Sequence, residues 1–169
     1  MSEELFPVVD EQGVVIGSAT RRDCHSGSMK LHPVVHLHVI DGEGRILLQR
    51  RSPDKDIQPD RWDTAVGGHV DYGEAVRDAL LRESREELGI DASEAVAVTH
   101  YVFQSQRERE YVNTFFLRVD AASFHVDPDP VEISEVRFWT VEEIRAAVGA
   151  GRLTPNFEME FQRLLPQLL

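Results

Sequence analysis

Residues 68–90 read GHVDYGEAVRDALLRESREELGI. Gly73-Glu74 opens a predicted helix that runs to Leu88 and stops at Gly89, a residue suited to the left-handed turn that ends helices. Within it Glu83, Glu86 and Glu87 fall at i, i+3 and i+4, so three carboxylates crowd one face over about one turn. Carboxylates that close repel one another unless something positive sits among them, and a hard divalent cation prefers oxygen ligands. Arg82, four residues before Glu86, can pair with a glutamate and fix its rotamer. An isolated Glu-Glu pair would read instead as a solvated helix face, salt-bridged to Arg82 and Arg85. Here Gly68, Glu74 and Gly89-Ile90 stand at set distances around the glutamates, and that wider pattern favours a built site.

Outward from the helix, the chain is punctuated by short elements. Leu5 to Ser18 reads as a hairpin turned at Asp10-Glu11-Gln12-Gly13, and Asp23 to Met29 reads as a loop. His32 to Ile40 alternates, with His32, Val34, His36 and His38 on one face and Val35, Leu37 and Val39 on the other, a polar face backing an apolar one. Asp41-Gly42-Glu43-Gly44 turns the chain into a returning strand, Arg45 to Arg51. A polar loop, Ser52 to Asp60, leads into an extended segment, Trp62 to Val70. Beyond the helix come strands at about 95–103, 111–119 and 136–139. Thr140 caps a helix over 141–148, and Thr154-Pro155 starts another with Phe157, Phe161, Leu164 and Leu165 at helical spacing. This order implies a mixed sheet with helices on its faces.

The 169 residues suit one domain, and 41% hydrophobic with 28% charged residues is globular composition rather than the signature of disorder. Eighteen basic against thirty acidic residues leave a net charge of -12. Such a balance argues against nucleic-acid or anionic-membrane partners, which need a clustered positive field. Cys24 is the one cysteine, so no internal disulfide forms. The polar start Met1-Ser2-Glu3-Glu4 lacks a secretory pattern, and no apolar run spans a bilayer. A cytoplasmic location is expected.

Written as Gly68, five residues, Glu74, seven residues, then Arg82-Glu83-Ser84-Arg85-Glu86-Glu87-Leu88-Gly89-Ile90, the stretch 68–90 resembles the Nudix box, G-x5-E-x7-R-E-U-x-E-E-x-G-U. Ser84 departs from it, standing where a bulky aliphatic is usual. The resemblance implies one Nudix domain over residues 1–169, an α/β/α sandwich of the α+β kind with a mixed sheet and the box helix following a loop. It implies hydrolysis of a diphosphate linkage with Mg2+, Mn2+ being an alternative. Glu83, Glu86 and Glu87 would be catalytic metal ligands, one glutamate acting as base toward water, with the Gly68 carbonyl completing the sphere. Glu74 and Arg82 would support the loop and helix.

Outside the box the chain is similar to the isopentenyl-diphosphate isomerase-like branch, through Val8-Val9-Asp10 with Gly17, Leu47-Leu48-Gln49-Arg50-Arg51-Ser52, and Trp62 followed by Val66-Gly67-Gly68-His69. That likeness implies a second metal on His25, His32, His69, Glu108 and Glu110. It also implies a diphosphate held by Arg21, Arg51 and Lys55. Each of these residues alone is as well read as an ordinary loop, strand or surface residue; His36 and His38 receive no role. Gly67 is the departure that matters, because the isomerases carry there a cysteine that moves a proton on the allylic carbon. Hydrolysis needs only carboxylates, metal and water, so a small-molecule diphosphate hydrolase is expected, with an isomerase-like enzyme or a silent diphosphate-binding module as alternatives. Trp62, Tyr72, Tyr101 and Phe103 either stack on the leaving group or belong to the core.

Overall fold

The computed structural model describes residues 3–168. The chain runs β1 (Leu5–Val9), β2 (Val15–Thr20), α1 (Arg21–Cys24), β3 (Leu31–Ile40), β4 (Ile46–Arg51), β5 (Trp62–Thr64), β6 (Val66–His69), α2 (Val76–Leu88), β7 (Val96–Gln104), β8 (Arg109–Arg118), β9 (Ile133–Trp139), α3 (Val141–Ala147) and α4 (Pro155–Leu168). The first two strands form a separate hairpin, and seven others form a mixed sheet in which β3 and β8 are parallel and the remaining pairs antiparallel.

This sheet forks. Strands β3 and β4 pair only at Ile40 and Ile46. Beyond that point β3 takes β6 on its open edge, with Val34 opposite His69 and Val35 opposite Gly68, while β4 lies between β5 and β9. The predicted segment 62–70 is therefore two strands that cross the fork at Ala65 and serve different partners.

Helices cover both faces, as the sandwich expectation requires. Val35, Leu37 and Val39 of β3 bury against Ala79, Leu80 and Leu88 of α2, whereas Ile40, Ile46, Leu48 and Phe116 bury against Ile144 of α3 and Phe157, Phe161 and Leu164 of α4. The spacing of apolar residues in α4 thus marked its inner face. Because both sides of β3 are covered, the expected polar histidine face is not a solvent face: His32 and His38 are buried with the rest of the strand.

Two boundaries differ from expectation. The loop expected at 23–29 begins with the single helical turn of α1, capped by Thr20, whose Oγ1 accepts from the Asp23 amide. The helix expected from Gly73 begins at Val76, because Glu74 belongs to the preceding turn, its amide donating to the Asp71 carbonyl and its carboxylate accepting from the Asp71 amide. At the far end Gly89 adopts φ 63°, ψ 29°, a left-handed conformation that glycine reaches without a Cβ penalty. Thr140 caps α3 in a reciprocal arrangement with Glu143. No described helix is long and apolar enough to cross a membrane.

Ser84 is fully buried on the inner side of α2, and its Oγ has no hydrogen-bond partner. A buried hydroxyl left unpaired costs free energy that an alanine methyl does not. Ser84→Ala should therefore raise the unfolding free energy by roughly 1 kcal/mol in a urea titration; a loss of stability would show that the hydroxyl is satisfied.

Candidate active site

A cleft of about 530 Å³ opens at the fork, bounded by β6, the carboxylate face of α2, the loop after β4 and the start of β8. On α2, Glu83 presses against the backbone of β6: a Cβ on Gly68 would lie 2.2 Å from Glu83 Cδ, so glycine there is set by close approach. Arg82 ties the helix to its surroundings. Its Nε and Nη2 donate to Glu74 Oε2 and Oε1, both at 2.9 Å, Nη2 also donates to the His69 carbonyl at 3.0 Å, and Nη1 donates to Glu83 Oε1 at 2.8 Å. Glu86 is the exposed member of the three, its Oε2 3.4 Å from Arg82 Nη1.

Glu87 is the most enclosed. Gln49 Nε2 donates to its Oε1 at 3.0 Å, and Oε2 is buried without a partner. Burial pushes the Glu87 carboxyl up to about 8; the Gln49 bond opposes this and neighbouring Glu83 adds to it. Burial also raises Glu83, against the pull of Arg82. Carboxylates pushed upward this way, one with an orphaned oxygen, form a site short of positive charge, and a divalent cation fits that donor set.

A second cluster adjoins the first. Ring nitrogens of His25, His32 and His69 lie within 4.8 Å of one another, as do ligand atoms of His32, Glu108 and Glu110. His25 Nε2 is 3.2 Å from His69 Nε2 and 3.1 Å from Glu108 Oε2. His32 Nδ1 donates to the Lys30 carbonyl at 3.0 Å, which leaves Nε2 as a bare acceptor, buried and without a partner. Phe6 stacks on His69 with centroids 4.5 Å apart. Burial holds His69 well below the ordinary imidazole range and lowers His25, while burial and then Glu108 raise Glu110 to about 7. Neutral imidazoles with inward nitrogens beside carboxylates suit a divalent ion. The structure thus brings together the five residues that spacing alone left scattered.

Arg21, Arg51 and Lys55 also line the cleft. Arg51 donates through Nε and Nη2 to the Ile57 carbonyl, Lys55 pairs with Glu132, and Arg21 pairs with Glu4 at 3.1 Å. The aromatic residues divide: Trp62 packs edge-on against Trp139, Tyr101 and Phe103 pack with Val34 and Val112, and Tyr72 is exposed. None of the four lines the cleft, although Tyr72 borders the neighbouring recess beside Arg82.

Residues 30–157 match the family model of the NUDIX domain. The chain belongs to the Nudix family. It is 34% identical to an uncharacterised Nudix hydrolase of Yersinia pestis, covering 97% of this chain and 93% of that one. An isopentenyl-diphosphate Delta-isomerase of Brevibacterium linens is 28% identical over 96% of this chain and 92% of its own. The crystal structure of DR0079 from Deinococcus radiodurans is similar with a TM-score of 0.77, at 27% identity, covering 95% of this chain and 98% of that chain.

Within this Nudix frame several residues at or behind the cleft received no role from the sequence. Gln49, which fixes Glu87, is one. The other group is a buried pair: His36 Nδ1 donates to Glu160 Oε2 at 2.6 Å, and Thr114 Oγ1 donates to Glu160 Oε1 at 2.6 Å. Burial opposes a charge on His36, yet the Glu160 carboxylate overrides it and holds the imidazole up at about 9; in return His36 keeps Glu160 below the usual carboxylate range despite burial. The folded imidazole pKa lies above its ordinary 6.5, so its contribution is complete below that pH and lost as pH rises toward 9. The depressed carboxyl works oppositely, contributing above its ordinary 4.5 and failing as pH falls. Unfolding free energy measured against pH should therefore decline above neutrality in the parent, and His36→Asn should flatten that limb; an unchanged limb would show that another group carries it.

Proposed function

We propose that this chain, as one Nudix domain over residues 1–169, is a hydrolase that cleaves the phosphoanhydride bond of a nucleoside diphosphate-type or related small molecule, with Mg2+, or Mn2+ in its place, and water. The observation that carries the reading is the carboxylate wall of Glu83, Glu86 and Glu87 on the cleft, with Glu83 packed against Gly68 and one buried oxygen of Glu87 left unpaired. These three glutamates and the Gly68 carbonyl would hold the cation, and His25, His32, His69, Glu108 and Glu110 would hold a second. When bound, such ions neutralise diphosphate charge and make a bound water more acidic.

The protein's own groups do the rest. Arg82, anchored by Glu74, fixes the rotamer of Glu83 and the position of β6 relative to α2. One of the glutamates takes the proton from the attacking water. Arg21, Arg51 and Lys55 bind the diphosphate oxygens, a task that an acidic protein must concentrate in a few cations.

Isomerisation lacks its thiol on this reading. Gly67 has no side chain, and Cys24 is buried beside Phe6 and Ala19 and is not on the cleft lining. A panel of nucleoside diphosphates, nucleotide sugars, coenzyme A and prenyl diphosphates, assayed with Mg2+ and with Mn2+ for release of the two halves of the cleaved diphosphate, phosphomonoesters as well as inorganic phosphate, tests the proposal. No release from any member would overturn it in favour of a silent binding module, and conversion of isopentenyl to dimethylallyl diphosphate would overturn it in favour of an isomerase.

A further inference from the structure

The imidazole of His36 stands on the cleft wall with one edge engaged and one edge open. Its Nδ1 is held at 2.6 Å by Glu160, a fully buried carboxylate that Thr114 clamps on the other side, and His38 Nε2 approaches the same carboxylate at 3.6 Å. That frame fixes the ring, which is 16% exposed. The opposite edge faces Gly67: a Cβ built there would lie 3.6 Å from Cδ2 and 3.9 Å from Nε2. Any side chain larger than a methyl at 67 would cover this edge; glycine leaves it facing the cleft, which His36, Gly67, Val34 and Asn156 line together. Among the described residues no hydrogen bond engages Nε2.

We infer that His36 is a substrate-contacting residue whose Nε2–H donates to an acceptor on the group attached to the diphosphate, and that Glu160 is its positioning residue. The inference rests on the cleft being the diphosphate site proposed above. Three features support it. The ring carries its proton through neutral pH because of Glu160, so Nε2 is a donor there. A buried carboxylate at Nδ1 is the arrangement that fixes the orientation of a histidine ring, and here it aims Nε2 at the cleft. Val34 is the one aliphatic side chain on this lining, and Asn156, Asp63 and Thr64 make the rest of this wall polar, so it offers acceptor recognition rather than a trough for a hydrocarbon tail.

Binding measured without turnover separates this inference from the hydrolase reading. Titrate the parent, with Mg2+, against α,β-methylene-ADP, which carries a nucleoside beyond its diphosphate, and against methylenediphosphonate, which carries nothing there. The parent should bind the first more tightly. His36→Ala should weaken α,β-methylene-ADP about tenfold, the scale of a hydrogen bond from a charged donor, and leave methylenediphosphonate unchanged. If loss of the buried partner unfolds that variant, His36→Phe combined with Glu160→Leu replaces the pair by apolar groups of like volume, which is often neutral for stability, and should show the same selective loss. Equal losses on both probes, no loss on either, or a parent that does not prefer α,β-methylene-ADP would overturn the inference. A parent that prefers it, loses that preference on substitution and hydrolyses nothing in the diphosphate panel would sustain the His36 contact while sinking the hydrolase reading.

Discussion

Glu86→Gln and Glu87→Gln should each lower diphosphate turnover by about 10²–10³-fold or more, the scale seen when one preorganised electrostatic group is removed, while the melting temperature stays at or above that of the parent. Neither side chain holds the core: Glu86 is exposed, and Glu87 faces the cleft with one oxygen unpaired. Glu87 also makes stability depend on pH. Its folded carboxyl is raised to about 8 from an ordinary 4.5, so in metal-free protein holding it protonated while the unfolded carboxyl ionises costs the fold increasingly as pH rises through that interval. Gln at 87 keeps the hydrogen-bonding outline without the charge, and its stability advantage over the parent should grow from pH 4.5 to 8. Parallel Mn2+ titrations should show weaker binding in both variants. Parent-like rates with Mg2+ present would remove these residues from the chemistry.

Gly68→Ala has a comparable expected effect from a single methyl. The new carbon would sit 2.2 Å from Glu83 Cδ and 2.5 Å from Cγ and Oε2, distances that real atoms do not tolerate. Either β6 moves away from α2 or Glu83 leaves its place, and Glu83 is the softer of the two because its carboxylate is the end of a flexible chain. Displacement costs it the 2.8 Å bond from Arg82. Turnover and Mn2+ affinity should each fall by about tenfold or more, the cost of a misplaced catalytic group. Gly67→Ala, whose added carbon meets nothing nearer than 3.6 Å, should keep the parent's melting temperature and Mn2+ affinity. If Gly68→Ala binds Mn2+ as the parent does, the close packing of Glu83 on β6 is not what positions the ion.

How far the sequence anticipated the molecule depends on how local each feature is. Glu83, Glu86 and Glu87 were legible because 3.6 residues per turn puts them on one face whatever the rest of the chain does. The capping box at Thr140 and the apolar spacing of Phe157, Phe161 and Leu164 are equally local, and both elements form where expected. His36 was opaque for the opposite reason. Its partner Glu160 lies 124 residues away, and only the parallel pairing of β3 with β8 and the return of α4 over that face bring them together. The same non-locality made the histidine strand look half-exposed. Gln49 received no role either, since its partner Glu87 lies on α2 and only the fold brings that helix to β4.

That fork has a consequence for how this scaffold can diversify. The wall carrying the acidic helix belongs to the β3–β6 ladder, whereas the cationic loop and β5 belong to the β4 ladder, and the two ladders share a single pairing at Ile40 and Ile46. Loop residues beyond Lys55, 56–61, can thus lengthen, shorten or change composition as long as Gln49 of β4 keeps its 3.0 Å bond to Glu87. Selectivity for one small molecule over another is free to drift on one bank while the ion-holding bank stays put.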